Sequence, residues 1–125
     1  GAETTFARDL PDGPELRAAL REIAAHVDAR MVRAGVRAHT VAIKLRYANF
    51  RTITRQSSAT LAISGAQDIE HMAAQLLDGA VQPGDRFRLL GIQCSKLTTS
   101  EANVQPRLWQ EDLDRDDGGR PDSYA

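Results

Sequence analysis

Strict alternation of apolar and polar side chains near the middle of the chain most constrains the fold. Every second residue from position 41 to 47 is apolar: Val41, Ile43, Leu45 and Tyr47. The intervening positions include two cations, Lys44 and Arg46. Because a strand places successive side chains on opposite faces, this pattern predicts one face on a core and one face open. We therefore interpret residues 40–61 as two strands joined by a tight turn.

Two amphipathic stretches predict helices that cover one face of this sheet. The first stretch runs to about Ala34 with Gly35 as its left-handed cap, and the second ends near Gly79. Asp12 with Glu15, and Ser64 with Gln67, have the spacing of capping boxes. Further strands at 3–10 and 87–97 complete the order β-α-β-β-α-β. We expect an α+β, two-layer sandwich: a four-stranded, mainly antiparallel sheet with both helices on one face and an undetermined strand order.

Charge is distributed unevenly along the 125 residues. Residues 1–100 carry 13 basic and 10 acidic side chains, a net charge of +3, whereas residues 101–125 carry 3 basic and 7 acidic ones, a net charge of −4. This asymmetry indicates a mildly basic folded body followed by a disordered acidic tail. A lone cysteine, Cys94, excludes an internal disulfide and a cysteine-cluster metal site. No membrane-spanning run or secretory signal is evident, so we expect a soluble cytoplasmic protein without a membrane partner.

The polar face of the hairpin is the candidate binding surface. No carboxylate occurs between Thr40 and Leu61, and cations with hydroxyls suit phosphate oxygens. An ordinary solvated face is the competing interpretation of the alternation alone. Arg55 shares strand parity with Ile53, so alternation directs it to the core unless a β-bulge or a place at the sheet rim exposes it. Base-reading groups are lacking, which favours binding without sequence preference.

Four segments together resemble a known family. The hairpin segment KLRYANFRTITR at 44–55 is similar to the signature of the little finger, the C-terminal DNA-binding domain of DinB-type Y-family DNA polymerases. Residues 3–10 resemble the opening E-x-T-F-x-x-D-L of that domain, 33–37 its first helix terminus and 88–97 its last strand. The resemblance covers residues 3–97, and the joint pattern is far more specific than any single motif.

This resemblance implies the domain organisation and the function. Residues 1–2 would be a tag remnant, 3–98 a little finger domain and 99–125 the disordered tail. The domain would bind duplex DNA without sequence preference and position template–primer for the catalytic core of a bacterial, nucleoid-associated translesion polymerase. We expect no catalytic residue, metal ligand or cofactor here, because the catalytic carboxylates and their Mg²⁺ belong to the palm domain of the parent protein. The implied DNA-binding residues are Lys44, Arg46, Arg51, Thr52, Thr54, Arg55, Ser57, Ser58 and Lys96.

The tail contains a second candidate motif. Gln105, Leu108 and Trp109 have the spacing Q-x-x-L-[F/W], which resembles the pentapeptide by which bacterial polymerases bind the sliding clamp. In that interpretation Leu108 and Trp109 enter an apolar pocket while the Gln105 amide forms a hydrogen bond. A chance occurrence in a polar tail is the alternative. Because tryptophan is a favoured interface anchor, its presence here favours a partner.

Two other functional classes share this predicted architecture. An RNA-binding module would display aromatic residues on its open sheet face, but Tyr47 has core parity and only Phe50, in the turn, could serve. A small acylphosphatase-like hydrolase would need a phosphate-binding loop after the first strand. Residues 11–14 read Pro-Asp-Gly-Pro, a sequence poor in successive backbone donors. Both classes remain open as alternatives to DNA binding.

Overall fold

Eight elements are formed in residues 1–99, the part of the chain that the computed structural model describes. The first strand begins at Ala2, one residue before its expected start, and the last long strand ends at Ser95, two residues before its expected end. The elements are β1 (Ala2–Pro11), α1 (Pro14–Ala34), β2 (Val36–Arg37), β3 (Thr40–Tyr47), β4 (Thr52–Ser58), α2 (Gly65–Ala80), β5 (Arg86–Ser95) and β6 (Thr98–Thr99).

The long strands form one antiparallel sheet in the order β1-β5-β3-β4. This confirms the predicted four-stranded sheet and shows that β5 and β3 are central, which the sequence had left open. The short strands β2 and β6 pair antiparallel as a separate two-stranded sheet that was not predicted. Strand β4 is therefore an outer strand of the main sheet.

The core lies between the helices and one face of the sheet. The alternating residues Val41, Ile43 and Leu45 are fully buried, as their period predicted. They belong to a single apolar cluster with residues of both helices, so both helices cover the same face of the sheet. Helix α1 lies against β1 and β5, and α2 against β3 and β4. The predicted two-layer α+β sandwich is confirmed, and the other sheet face is not covered by either helix.

The ends of the helices match the predictions only in part. Gly35 adopts φ 71° and donates its N–H to the Val32 carbonyl at 3.1 Å, which confirms the left-handed cap of α1. Both capping-box predictions are wrong. Gly13 occupies the N-cap of α1, and the Asp12 carboxylate instead accepts hydrogen bonds from Arg17 at 2.9 and 3.0 Å.

Helix α2 ends at Ala80, one residue beyond the expected position. Ser64 stands at the N-cap of this helix, but its side chain makes no capping hydrogen bond. The Ser64 backbone N–H donates to Asp68 Oδ2 at 3.3 Å, so the reciprocal partner is Asp68 rather than Gln67. A carboxylate in the first turn also interacts favourably with the helix dipole, which gives a physical reason why Asp68 and not Gln67 accepts this hydrogen bond.

Candidate nucleic-acid interface

Four of the predicted site residues meet on the open face of the hairpin. Lys44 lies directly opposite Thr54, and Arg46 directly opposite Thr52, in the register of β3 and β4. Arg46 Nε donates to Thr52 Oγ1 at 3.0 Å. Both cations are half-buried and both threonines are exposed. The result is a paired row of cations and hydroxyls on the sheet face away from the helices, which is suited to phosphate oxygens.

Strand β4 exposes residues on both of its faces because it is an outer strand. Its pairing with β3 runs without a register shift, which excludes the β-bulge alternative for Arg55. Arg55 lies opposite Ile43, and Ser57 opposite Val41, on the helix side of the sheet, yet both are exposed. The rim alternative is therefore correct for Arg55. Its Nη1 donates to the Thr54 carbonyl at 2.9 Å, a contact within the same strand.

The remaining predicted residues of the body lie at the two ends of the hairpin. Ser58 Oγ is 2.8 Å from Oγ1 of the buried Thr40. Lys96 follows β5 with φ 56°, and the pairing of Ser95 with Thr40 places it at this same end of the sheet. Arg51 lies in the turn at the other end. The structure therefore does not bring Lys96 together with Arg46 and Arg51.

The turn of the hairpin gathers additional cations that sequence reasoning missed. Asn49 Oδ1 accepts the Arg51 N–H at 3.0 Å, and Phe50 adopts φ 70°, which closes the turn. Phe50 is 66% exposed, and its ring centroid lies 4.4 Å from the Arg88 guanidinium carbon. The Ala48 N–H donates to the Arg86 carbonyl at 3.0 Å, so the start of β5 adjoins the turn. Arg86 and Arg88 thus lie at the turn end of the hairpin, where Asp9 Oδ2, 3.7 Å from Arg88 Nη2, offsets part of the positive charge.

A carboxylate also reaches the open face, although the hairpin itself has none. Glu3 of β1 and Lys44 of β3 both pair with Gly91 of β5, from opposite sides. Glu3 Oε1 is 3.3 Å from Lys44 Nζ. The interpretation of this surface as cations and hydroxyls alone therefore needs correction. Gly91, an isolated glycine within a strand, was a sequence signal that side chains of neighbouring strands approach closely there. The signal could not be assigned to Glu3 and Lys44 because the sequence does not give the strand order.

The other chemically notable side chains are placed as core or surface residues. Tyr47 is buried and packs on Phe87 with ring centroids 5.2 Å apart, as its core parity predicted. Burial raises the pKa of the Cys94 thiol to about 11, so it is almost wholly protonated at neutral pH. No group of three or more His, Cys, Asp and Glu side chains in residues 1–99 could hold a metal ion. Neither α1 nor α2 is long and apolar enough to cross a membrane.

Comparison with known families assigns the chain to one of them. The impB/mucB/samB family C-terminal domain matches residues 1–108 of the 125. The chain belongs to this family. The impB/mucB/samB C-terminal domain therefore includes the hairpin, both helices and the whole described sheet. Its match also extends into the tail as far as Leu108, beyond the described residues.

Relatives of this impB/mucB/samB domain include DNA polymerase IV of Halorhodospira halophila. The two sequences are 37% identical over 114 residues, which is 90% of this chain and 30% of the relative. DNA polymerase IV 2 of Agrobacterium fabrum is likewise 37% identical over 112 residues, 86% of this chain and 31% of that protein. The chain thus spans less than a third of the length of these curated relatives.

Solved structures with the same fold agree with this family assignment. The little finger domain of PolIV, in a complex with the β-clamp processivity factor, superimposes with a TM-score of 0.59 at 18% identity. The alignment covers 87% of this chain and 91% of that domain. A DinB family error-prone DNA polymerase from Sulfolobus solfataricus gives a TM-score of 0.63 at 10% identity, over 74% of this chain and 27% of the polymerase. The resemblance to the little finger is confirmed in family and in fold.

Proposed function

We propose that this chain is the DNA-binding little finger domain of a translesion DNA polymerase and that it binds duplex DNA without sequence preference. The observation that carries this proposal is the outer strand β4. All of its residues except Ile53 are exposed, and Thr52–Ser58 contains an arginine, hydroxyls and an amide but no carboxylate. Lys44 and Arg46 lie beside it on the open face.

An outer strand can bind a DNA backbone along its whole length. Its edge presents backbone N–H groups that have no partner strand within residues 1–99. Side chains above and below the edge, such as Thr54 and Arg55, can reach phosphates from both sides. Backbone donors, hydroxyls and cations fix position on a duplex without reading bases, so affinity would come mostly from the release of counterions. This arrangement explains how predicted site residues on opposite faces of β4 can act together.

The parent protein would supply the catalysis. The relatives named DNA polymerase IV are more than three times as long as the segment they share with this chain. The polymerase active site and its Mg²⁺ would lie in that additional length, in the catalytic core to which this domain is joined. The domain would contribute positioning of the primer terminus rather than a catalytic group. The parent would act in the bacterial cytoplasm, on chromosomal DNA.

The tail would provide a second, separate contact with the sliding clamp. Gln105, Leu108 and Trp109 lie outside the described residues, so the support is the motif itself and the impB/mucB/samB match through position 108. A structural relative of this fold is known in complex with the β-clamp processivity factor. We divide the chain accordingly into a DNA-binding body at 3–98 and a clamp-binding tail at 99–125.

The decisive measurement is a titration of the 125-residue chain with a fluorescent DNA duplex at several salt concentrations. We expect a dissociation constant in the micromolar range or weaker, and similar values for unrelated sequences. With about 3–5 phosphate contacts, log K should fall with log salt at a slope of about −3 to −4.5. A slope near zero would contradict the electrostatic account. Parallel titration with single-stranded RNA, and an assay of acyl-phosphate turnover, would detect the two alternative classes.

A further inference from the structure

The Glu3 carboxylate contacts Lys44, one of the two cations that β3 contributes to the proposed DNA surface. Its Oε1 atom is 3.3 Å from Lys44 Nζ, and the two side chains are 51% and 40% exposed. They lie at an open groove of about 510 Å³ on the sheet face away from the helices, together with Thr54, Gln56 and Gln93. A phosphate that approached Lys44 through this groove would meet the carboxylate as well.

The contact depends on the backbone between the two residues. Glu3 and Lys44 belong to strands that are not paired with each other, and Gly91 of β5 lies between them in the register. A Cβ atom at position 91 would lie 2.9 Å from Glu3 Cβ and 3.3 Å from the Ala2 carbonyl oxygen. The absence of a side chain at Gly91 therefore lets the carboxylate lie across β5. Its placement follows from strand register rather than from the reach of two long side chains alone.

We propose that Glu3 limits the affinity of this domain for DNA by occupying Lys44 in the free protein. The inference depends on the proposed DNA-binding function. A carboxylate and a phosphate oxygen compete for the same ammonium group, and both carry negative charge. A phosphate that binds Lys44 must therefore either displace Glu3 from the ammonium or lie beside its negative charge, and both lower the affinity. The role of Glu3 is to tune affinity, so that the domain holds duplex DNA weakly.

Exposed ion pairs of this type contribute little to folding, because solvent screens them and ordering two side chains costs entropy. Removing the carboxylate should therefore alter DNA binding more than stability. Glu22 offers a matched control: it is an exposed acid on α1, in the helical layer on the other side of the sheet. Glu3→Gln and Glu22→Gln change the net charge by the same amount but at different distances from Lys44.

The experiment compares duplex affinity of the 125-residue chain and its variants at low salt. Glu3→Gln should raise the affinity about two- to fivefold, the range expected for one exposed pair. Glu22→Gln should change it by less than half as much, and the gain from Glu3→Gln should shrink as salt rises. In a Lys44→Ala background, Glu3→Gln should give little further gain. Thermal unfolding of each variant checks the fold, and Glu3→Ser provides a second, shorter substitution.

Three results would overturn the inference while leaving the proposed function standing. The first is equal affinity of the wild-type chain and both Glu3 variants. The second is an equal gain from Glu22→Gln, which would show an effect of net charge alone. The third is an undiminished gain in the Lys44→Ala background, which would show that Glu3 does not act through Lys44. Failure of the wild-type chain to bind duplex DNA would instead remove the proposed function, and this inference with it.

Discussion

At the scale of single residues, the exposure of a side chain depends more on the position of its strand in the sheet than on strand parity. Arg55 has the parity of a core residue and lies opposite the buried Ile43, yet it is exposed because no strand of residues 1–99 pairs with the outer side of β4. Its guanidinium contacts only the carbonyl of the preceding residue among the hydrogen bonds of residues 1–99. The remaining donors of the guanidinium are therefore free to bind a phosphate, which favours a role in DNA binding over a structural one.

Replacing Arg55 by alanine tests this interpretation. We expect Arg55→Ala to weaken duplex binding by about 1 kcal/mol, because it removes a charge-assisted hydrogen bond to phosphate. The melting temperature should stay nearly constant, since the side chain is exposed. Arg33→Ala, an exposed arginine in the last turn of α1, is the matched control for net charge. A sharp loss of thermal stability with intact DNA affinity would show instead that Arg55 is structural.

At the scale of elements, one arginine links three segments at the start of α1. Arg17 Nε lies 2.9 Å from Oδ1 of Asp12, in the loop after β1, and Arg17 Nη2 lies 2.7 Å from Oδ1 of Asp78 in α2. The hydrogen bond from Arg17 lowers the pKa of Asp12 against the opposing effect of burial. These contacts replace the predicted capping box and tie the two helices together at one end.

Asp12→Asn should therefore destabilise the domain in a pH-dependent way. The folded pKa lies below the ordinary value of 3.8, so the stabilisation is complete above that value and is lost as pH falls through the folded pKa. We expect a loss of about 0.5–1 kcal/mol at pH 7, which begins to shrink as pH falls below 3.8. Urea unfolding at pH 7, 5 and 3 measures the difference, with Glu22→Gln as control. A difference that persists unchanged at the lowest pH would exclude the ion pair as its cause.

At the scale of the whole molecule, charge separates two proposed functions along the chain. The first 100 residues carry a net charge of +3 and the last 25 a net charge of −4. Repulsion between the acidic tail and DNA would keep the proposed clamp-binding segment away from the nucleic acid. The body and the tail could then bind different partners at the same time, which is the arrangement needed to tether a polymerase while it holds its template.

A peptide of residues 100–112 should bind purified sliding clamp with micromolar affinity. Burial of the Leu108 and Trp109 side chains contributes several kcal/mol, from which the cost of ordering the peptide is subtracted. Isothermal calorimetry measures the interaction directly. The same peptide with Leu108→Ala and Trp109→Ala should not bind, and these substitutions in the 125-residue chain should leave duplex affinity unchanged. No heat at high micromolar concentration would eliminate the motif as a clamp ligand.

Local periodicity accounts for the parts of the fold that the sequence predicted. Alternation marked the core side of β3, apolar spacing marked both helices, and Gly35 marked the end of α1 because it can adopt a positive φ cheaply. Lys44, Arg46, Thr52 and Thr54 could be grouped from the sequence because two adjacent strands and a short turn bring them together. The capping boxes failed because Asp12 and Ser64 had competing partners at similar distance along the chain.

By itself, the sequence determined the family, the order of the two helices and four long strands, and the face of the hairpin that carries cations. Only the tertiary structure decided which strand is outermost, and hence that Arg55 and Ser57 are exposed. It also decided that Glu3 contacts Lys44 across Gly91 and that Arg88 joins the turn. The physical reason is the range of the interactions. Side-chain periodicity acts over a few neighbouring residues, whereas strand pairing joins segments far apart in sequence, and local periodicity does not specify which of them become neighbours.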